Sequence, residues 1–93
     1  MADTQTGKRL ERYFKGVANH WRIEILFLIR RRNDLTLEEI AEILGGDFRT
    51  IAEHTRKLFH AGLINKKHRG RFVVHSLSPY GRAIVSFMET FAK

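Results

Sequence analysis

Between Phe48 and Arg71 the chain gathers side chains suited to gripping a polyanion and reading what it carries. Arg49 has the two parallel donors that match guanine O6 and N7. Thr50 can bond a base or a phosphate, or touch a thymine methyl, and Glu53 can accept from cytosine N4. One turn on, Arg56 and Lys57 suit phosphates. Lys66, Lys67, Arg69 and Arg71 then place four positive charges within six residues, dense enough to straddle a phosphate backbone or enter a minor groove. Each group also has a plainer reading. Glu53 sits four residues after Arg49 and three before Arg56, where it can pair with both. The basic run can serve only to keep a strand edge from aggregating. Phe48 has two readings, contact with a thymine methyl or packing in the turn between helices, of which packing is expected.

These side chains need elements that aim them, and the flanking residues specify a set. Leu10, Tyr13, Phe14 and Val17 recur at helical spacing, predicting a first helix from about Lys8 to Val17. Asn19 caps a second, about His20 to Arg32, which is expected to bury Ile23, Leu26, Phe27 and either Ile29 or the stem of Arg30, and to end in the run Arg30 to Asp34. Thr36-Leu37-Glu38-Glu39 reads as a capping box opening a third helix. That helix stops at Gly45-Gly46, and Asp47 caps a fourth, about Phe48 to His60. Two helices joined by so short a turn cross steeply.

Beyond Ala61-Gly62-Leu63 the pattern changes to strands. Leu63 to Lys67, a turn at Arg69-Gly70, and Arg71 to Leu77 predict a hairpin with a basic tip. Ser78-Pro79 opens a last helix striped with Tyr80, Ile84, Phe87, Met88 and Phe91. The expected architecture is therefore mainly α with a small β-hairpin (α+β): five helices and a two-stranded wing, a winged helix-turn-helix. Residues 1–7 are expected to form a disordered tail and residues 8–93 the domain.

Composition agrees. A chain of 93 residues supplies one core. Its 17 Lys and Arg against 10 Asp and Glu leave a net charge of +7, which favours polyanionic partners. With no cysteine, disulfides, thiolate metal sites and cysteine nucleophiles are excluded. The longest apolar stretch, Ile25 to Ile29, is far too short to cross a bilayer, and the polar opening lacks the apolar stretch of a secretion signal. His20, His54, His60, His68 and His75 lack the spacing of a helical metal or catalytic site. His54 is expected to be buried or half-buried and His75 to lie at the wing base. No phosphate loop or nucleophile–base motif is visible, so the reading is not that of an enzyme.

Three stretches carry a family resemblance that spans about Phe14 to Met88. Phe14 to Leu26, in which Arg22-Ile23 begins the second helix, is similar to the opening of the ArsR-type winged-helix regulators. Thr50 to Ile64, with His54 and the exit Ala61-Gly62-Leu63-Ile64, resembles their recognition helix. Arg69 to Leu77 resembles their wing. The exit and wing are shared with MarR-type and other winged helices. The chain departs from the family pattern at Gly46, often apolar, and at Thr55, often leucine. Leu37 to Ile40 stands where soft-metal sensors carry cysteines, and the last helix offers only Glu89 where others carry paired ligands. The resemblance thus implies neither metal nor cofactor.

What the resemblance implies is a sequence-specific regulator of transcription that binds double-stranded DNA through the fourth helix and the wing; a cytoplasmic repressor is expected, with activation left open and no effector identified. The terminal helices hold more large apolar surface than one small core hides, and such surface marks interfaces. In the family this surface forms a symmetric homodimer. Leu10, Tyr13, Phe14, Val17, Ile84, Phe87, Met88 and Phe91 are the expected contacts. Two other readings stay open: a winged helix that docks proteins without binding DNA, and one that binds RNA.

Overall fold

In the computed structural model, which describes residues 4–92, the helix starts sit where the capping residues stand. The Asn19 side chain accepts from the N–H groups of Trp21 at 2.9 Å and Arg22 at 3.2 Å, opening α2 (His20–Arg31). Thr36 and Glu39 close a reciprocal box at the start of α3 (Leu37–Leu44): the Glu39 N–H donates to Thr36 Oγ1 at 3.2 Å, and the Thr36 N–H to Glu39 Oε1 at 2.8 Å. Asp47 accepts from the Thr50 N–H at 3.1 Å and starts α4 (Phe48–His60). Ser78 accepts from the Gly81 N–H at 3.0 Å and starts α5 (Pro79–Glu89), with proline at its first position. Each cap satisfies backbone donors that a helix start otherwise leaves without partners.

The first helix, α1 (Thr4–Val17), begins earlier than the apolar spacing predicts. Thr4 to Gly7 continue the helix, whereas the polar opening implied a disordered tail over residues 1–7. Once the helix is nucleated on its packed face, adding a residue costs little even for indifferent helix formers. Met1 to Asp3, the rest of that expected tail, lie outside the described residues.

The hairpin pairs β1 (Ile64–Arg69) with β2 (Phe72–Leu77), in register from Ile64 opposite Leu77 to Arg69 opposite Phe72. The turn is therefore Gly70-Arg71, one residue later than expected, with Gly70 in the left-handed region at φ 62°. A single bridge between Leu35 and His75 ties the α2–α3 loop to β2. Gly81 admits a close approach: a Cβ there would fall on the Leu63 carbonyl oxygen, so only glycine lets α5 lie against the base of the wing.

The core gathers around α2, which touches α1, α3, α4, α5 and β2. Its buried residues are Ile25, Leu26, Leu28 and Ile29, while the expected Ile23 and Phe27 are half-buried. Leu26 and Ile29 are buried as expected; a helix packed from several sides has no single apolar stripe, so periodicity alone marks only part of its core. Ile40, Ile51, Leu58, Leu63, Ile64 and Val85 complete the centre, each fully buried chain contributing about 1.5–3 kcal/mol of transfer free energy.

Candidate nucleic-acid interface

α4 divides cleanly by face. Ile51, Thr55 and Leu58 are buried against the core, which turns Arg49, Glu53, Arg56 and Lys57 outward, all exposed. No hydrogen bond or ion pair engages Arg49 among the described residues, so its donors are available. Glu53 is engaged: it accepts from Arg56 Nε at 3.1 Å and Nη2 at 2.7 Å, and Lys57 Nζ lies 4.0 Å away. Those hydrogen bonds from Arg56 hold the carboxyl below its ordinary range and raise the guanidinium in turn. Of the two expected partners, Glu53 takes Arg56 and leaves Arg49.

Thr50 is half-buried, and its hydroxyl faces the Asp47 carboxylate at 3.4 Å. Phe48 is a correction: it is 47% exposed at the first position of α4 instead of packed in the inter-helix turn. The α3–α4 turn is filled otherwise. Gly46 sits where a Cβ would press on Ile51 and Trp21, so those side chains pack directly against the turn's backbone. His54 is half-buried, as expected, and burial is the main cause that lowers its pKa, with the nearby Arg22 charge adding to it.

The wing lies beside α4. Lys66 Nζ sits 4.5 Å from the centre of the Phe59 ring, joining β1 to the end of the helix by a cation–π contact. Lys66, Lys67, Arg69 and Arg71 are all exposed, and Phe72 beside them is 57% exposed. Lys67 and Arg71 have no ion-pair partner among the described residues, whereas Arg69 donates to Asp34 at 2.8 Å. That partner was not foreseen, and no local pattern around Asp34 announces it. His75 is buried at the wing base, as expected. Its Nδ1 lies 2.9 Å from the Leu35 carbonyl oxygen, and burial pushes the imidazole below its ordinary value against that bond.

Away from these residues, α1 and α5 form an apolar groove lined by Leu10, Tyr13, Phe14, Tyr80, Ala83, Ile84 and Phe87. Leu10, Phe14 and Phe87 are each 50% exposed and Phe91 is 72% exposed. Phe14 meets Phe87 edge-on at 6.3 Å, Phe87 meets Phe91 at 5.1 Å, and Tyr13 stacks on Tyr80 at 5.3 Å. Of the expected interface residues, Val17 and Ile84, the latter at the floor of the groove, are buried in the chain's own core. Tyr13 and Met88 are half-buried against it. Tyr80, 59% exposed, joins the outward set.

Arg30, in the basic run after α2, pairs with Glu89 of α5 at 3.2 Å. Among the described residues no group of His, Asp or Glu is placed to hold a metal ion, and no helix is long and apolar enough to cross a membrane.

This arrangement is a winged helix-turn-helix, and solved structures share it. No protein-family model and no curated protein matches the sequence. The homodimeric winged helix-turn-helix DNA-binding domain of Mb0332 from Mycobacterium bovis, described as a possible ArsR-family transcriptional regulator, superposes with a TM-score of 0.84. It is 20% identical, over 99% of this chain and 87% of that one. HlyU from Vibrio cholerae N16961 gives a TM-score of 0.85 at 20% identity, over 96% of this chain and 97% of its own. An ArsR-like transcriptional regulator from Rhodococcus sp. RHA1 gives 0.78 at 21% identity, over 91% and 79%. The fold implied by the sequence resemblance is the fold these proteins have.

Proposed function

We propose that this chain is a sequence-specific double-stranded-DNA-binding transcriptional regulator that acts as a homodimer in the cytoplasm, with no catalytic role. The observation that carries the reading is the outward face of α4. It presents Phe48 and the unengaged Arg49 at its N-terminal end and touches, near its C-terminal end, a hairpin bearing four cations. In a helix-turn-helix that end of the second helix meets base edges in the major groove. Arg49 reads guanine, and Thr50 offers its methyl group to a base. Arg56, Lys57, Lys66, Lys67, Arg69 and Arg71 contact phosphates. Glu53, with both oxygens on Arg56, orients that guanidinium instead of accepting from cytosine.

The apolar α1–α5 groove, with Leu10, Phe14, Phe87 and Phe91 half or more exposed, is the surface on which two protomers meet. Mb0332, which shares the fold, is described as homodimeric and DNA-binding, which supports the same assembly here. A two-fold dimer sets two α4 helices about 34 Å apart, in successive major grooves of a pseudo-palindrome. Occupying a promoter in this way represses it by occlusion.

The test is retention on random duplex DNA at low salt, followed by selection of tight binders from a random duplex library. The expected complex weakens steeply with salt, because each neutralised phosphate adds about −0.9 to the slope of log K against log salt. The selected fragments should be pseudo-palindromic, with half-sites about 10–10.5 bp apart. Absence of any salt-sensitive complex would leave protein docking through the apolar groove as the reading, and preference for structured RNA over duplex DNA would replace the DNA reading with an RNA one.

A further inference from the structure

The wing's cations are not equally free, and the difference traces to one residue outside the wing. Arg69 Nη2 closes on Asp34 Oδ2 at 2.8 Å, although the two are 35 positions apart in the chain. Asp34 belongs to the α2–α3 loop, and the wing itself fixes its backbone. The Asp34 N–H donates to the His75 carbonyl at 3.0 Å, and the His75 N–H donates to the Leu35 carbonyl at 3.0 Å. Asp34 is also the one non-glycine with a positive φ among the described residues, at 65°, a region that Asp and Asn enter more readily than other residues. The carboxylate is therefore carried by a backbone already docked on β2.

We propose that Asp34 acts as an internal stand-in for a DNA phosphate, holding Arg69 in the free protein and competing with the backbone for it on DNA. This rests on the DNA-binding reading above. A carboxylate and a phosphate satisfy the same planar fork of guanidinium donors, so one can replace the other. The Arg69 and Asp34 side chains are 60% and 34% exposed, and a pair so screened by water is weak enough to exchange. Arg69 then contributes only where the rest of the interface sets a phosphate firmly beside the wing, as on a matched site. On random sequence it stays with Asp34, and affinity for the wrong DNA is held down.

Asp34→Asn isolates the effect, because Asn keeps the shape and tolerates the same φ while removing the charge. The full chain, D34N, R69Q and the double variant are titrated with random duplex at several salt concentrations, and circular dichroism reports folding. D34G, which keeps the backbone conformation, provides a second removal of the carboxylate. The expected result is that D34N and D34G bind random duplex about 2- to 5-fold more tightly per protomer. Their salt slopes should steepen by about 0.9 per protomer, and both gains should vanish when Arg69 is Gln. A gain that persists in the R69Q background means the carboxylate acts through bulk charge and overturns the proposal. Weaker binding by D34N overturns it too, assigning Asp34 to wing positioning. A wild-type chain with no salt-sensitive complex would sink the DNA reading together with this one, whereas either of the former results leaves that reading standing.

Discussion

Glu53 grips the Arg56 guanidinium with both carboxylate oxygens, at 3.1 Å from Nε and 2.7 Å from Nη2, on the face of α4 that the fold turns outward. The pair aims Arg56 but, on the proposed function, leaves a negative charge where phosphates would approach. Glu53→Gln keeps an acceptor for Arg56 and removes that charge. Random-duplex affinity should rise by about 2- to 5-fold, the scale of one exposed charge interaction, with base preferences unchanged. Loss of preference at a cytosine in a selected duplex would instead make Glu53 a base reader.

Phe48 presents an aromatic ring beside Arg49 at the start of α4, where an apolar side chain can cover a thymine methyl. Replacing thymine by uracil removes that methyl and nothing else from the base. One position of a selected duplex should then lose affinity by about 4-fold, the worth of one buried methyl-sized group. Phe48→Ala should lose the same amount on the thymine duplex and be indifferent to uracil. If the two changes add instead, the ring does not touch the methyl.

The difference between Phe48 and its neighbours shows what was legible in the residues alone. Asn19, Thr36, Asp47 and Ser78 act within three residues of themselves, so their caps could be read locally and are present. Whether Phe48 points inward depends on what packs against the α3–α4 turn, where Trp21 from α2 and Ile51 close on Gly46. Val17 and Ile84 lie on the same stripes as Phe14 and Phe87. Periodicity marks an apolar face without saying where the protomer's core ends and a second surface begins. The Asp34–Arg69 contact joins residues far apart in sequence and had no local signal at all.

The aromatic ladder of Phe14, Phe87 and Phe91 can be broken without disturbing the core, since each ring is half or more exposed in the protomer. Phe87→Glu should therefore fold and sediment as a single protomer, and the wild-type chain should sediment as two. Its affinity for a symmetric duplex should fall by at least about 10²-fold, as one anchored half-site no longer raises the local concentration of the other. An unchanged sedimentation coefficient for the variant would remove the α1–α5 groove from the interface.

His75 links stability to pH. Burial lowers its pKa, despite the opposing hydrogen bond with Leu35, so the folded chain holds it neutral while the unfolded chain protonates it near the ordinary value of about 6.5. Its contribution is therefore full above that pH and falls as the pH drops toward the lowered folded value, because the unfolded state then binds more protons. The melting temperature should decline between about pH 7 and 5, with His54, shifted the same way by burial, adding to the slope. His75→Gln should flatten that decline in part. An identical slope in the variant would contradict the assignment.

On the proposed function the start of α4 reads bases while the wing holds the backbone, and the contrast between Arg49→Ala and Lys67→Ala tests this most directly. Affinities of both variants and the wild-type chain would be measured on a selected duplex and on every single-base variant of one half-site. Arg49→Ala should erase the preference at one guanine, a loss of about 1–3 kcal/mol there, and Lys67→Ala should weaken all duplexes alike. An Arg49→Ala variant that lowers every affinity by the same factor would contradict the account.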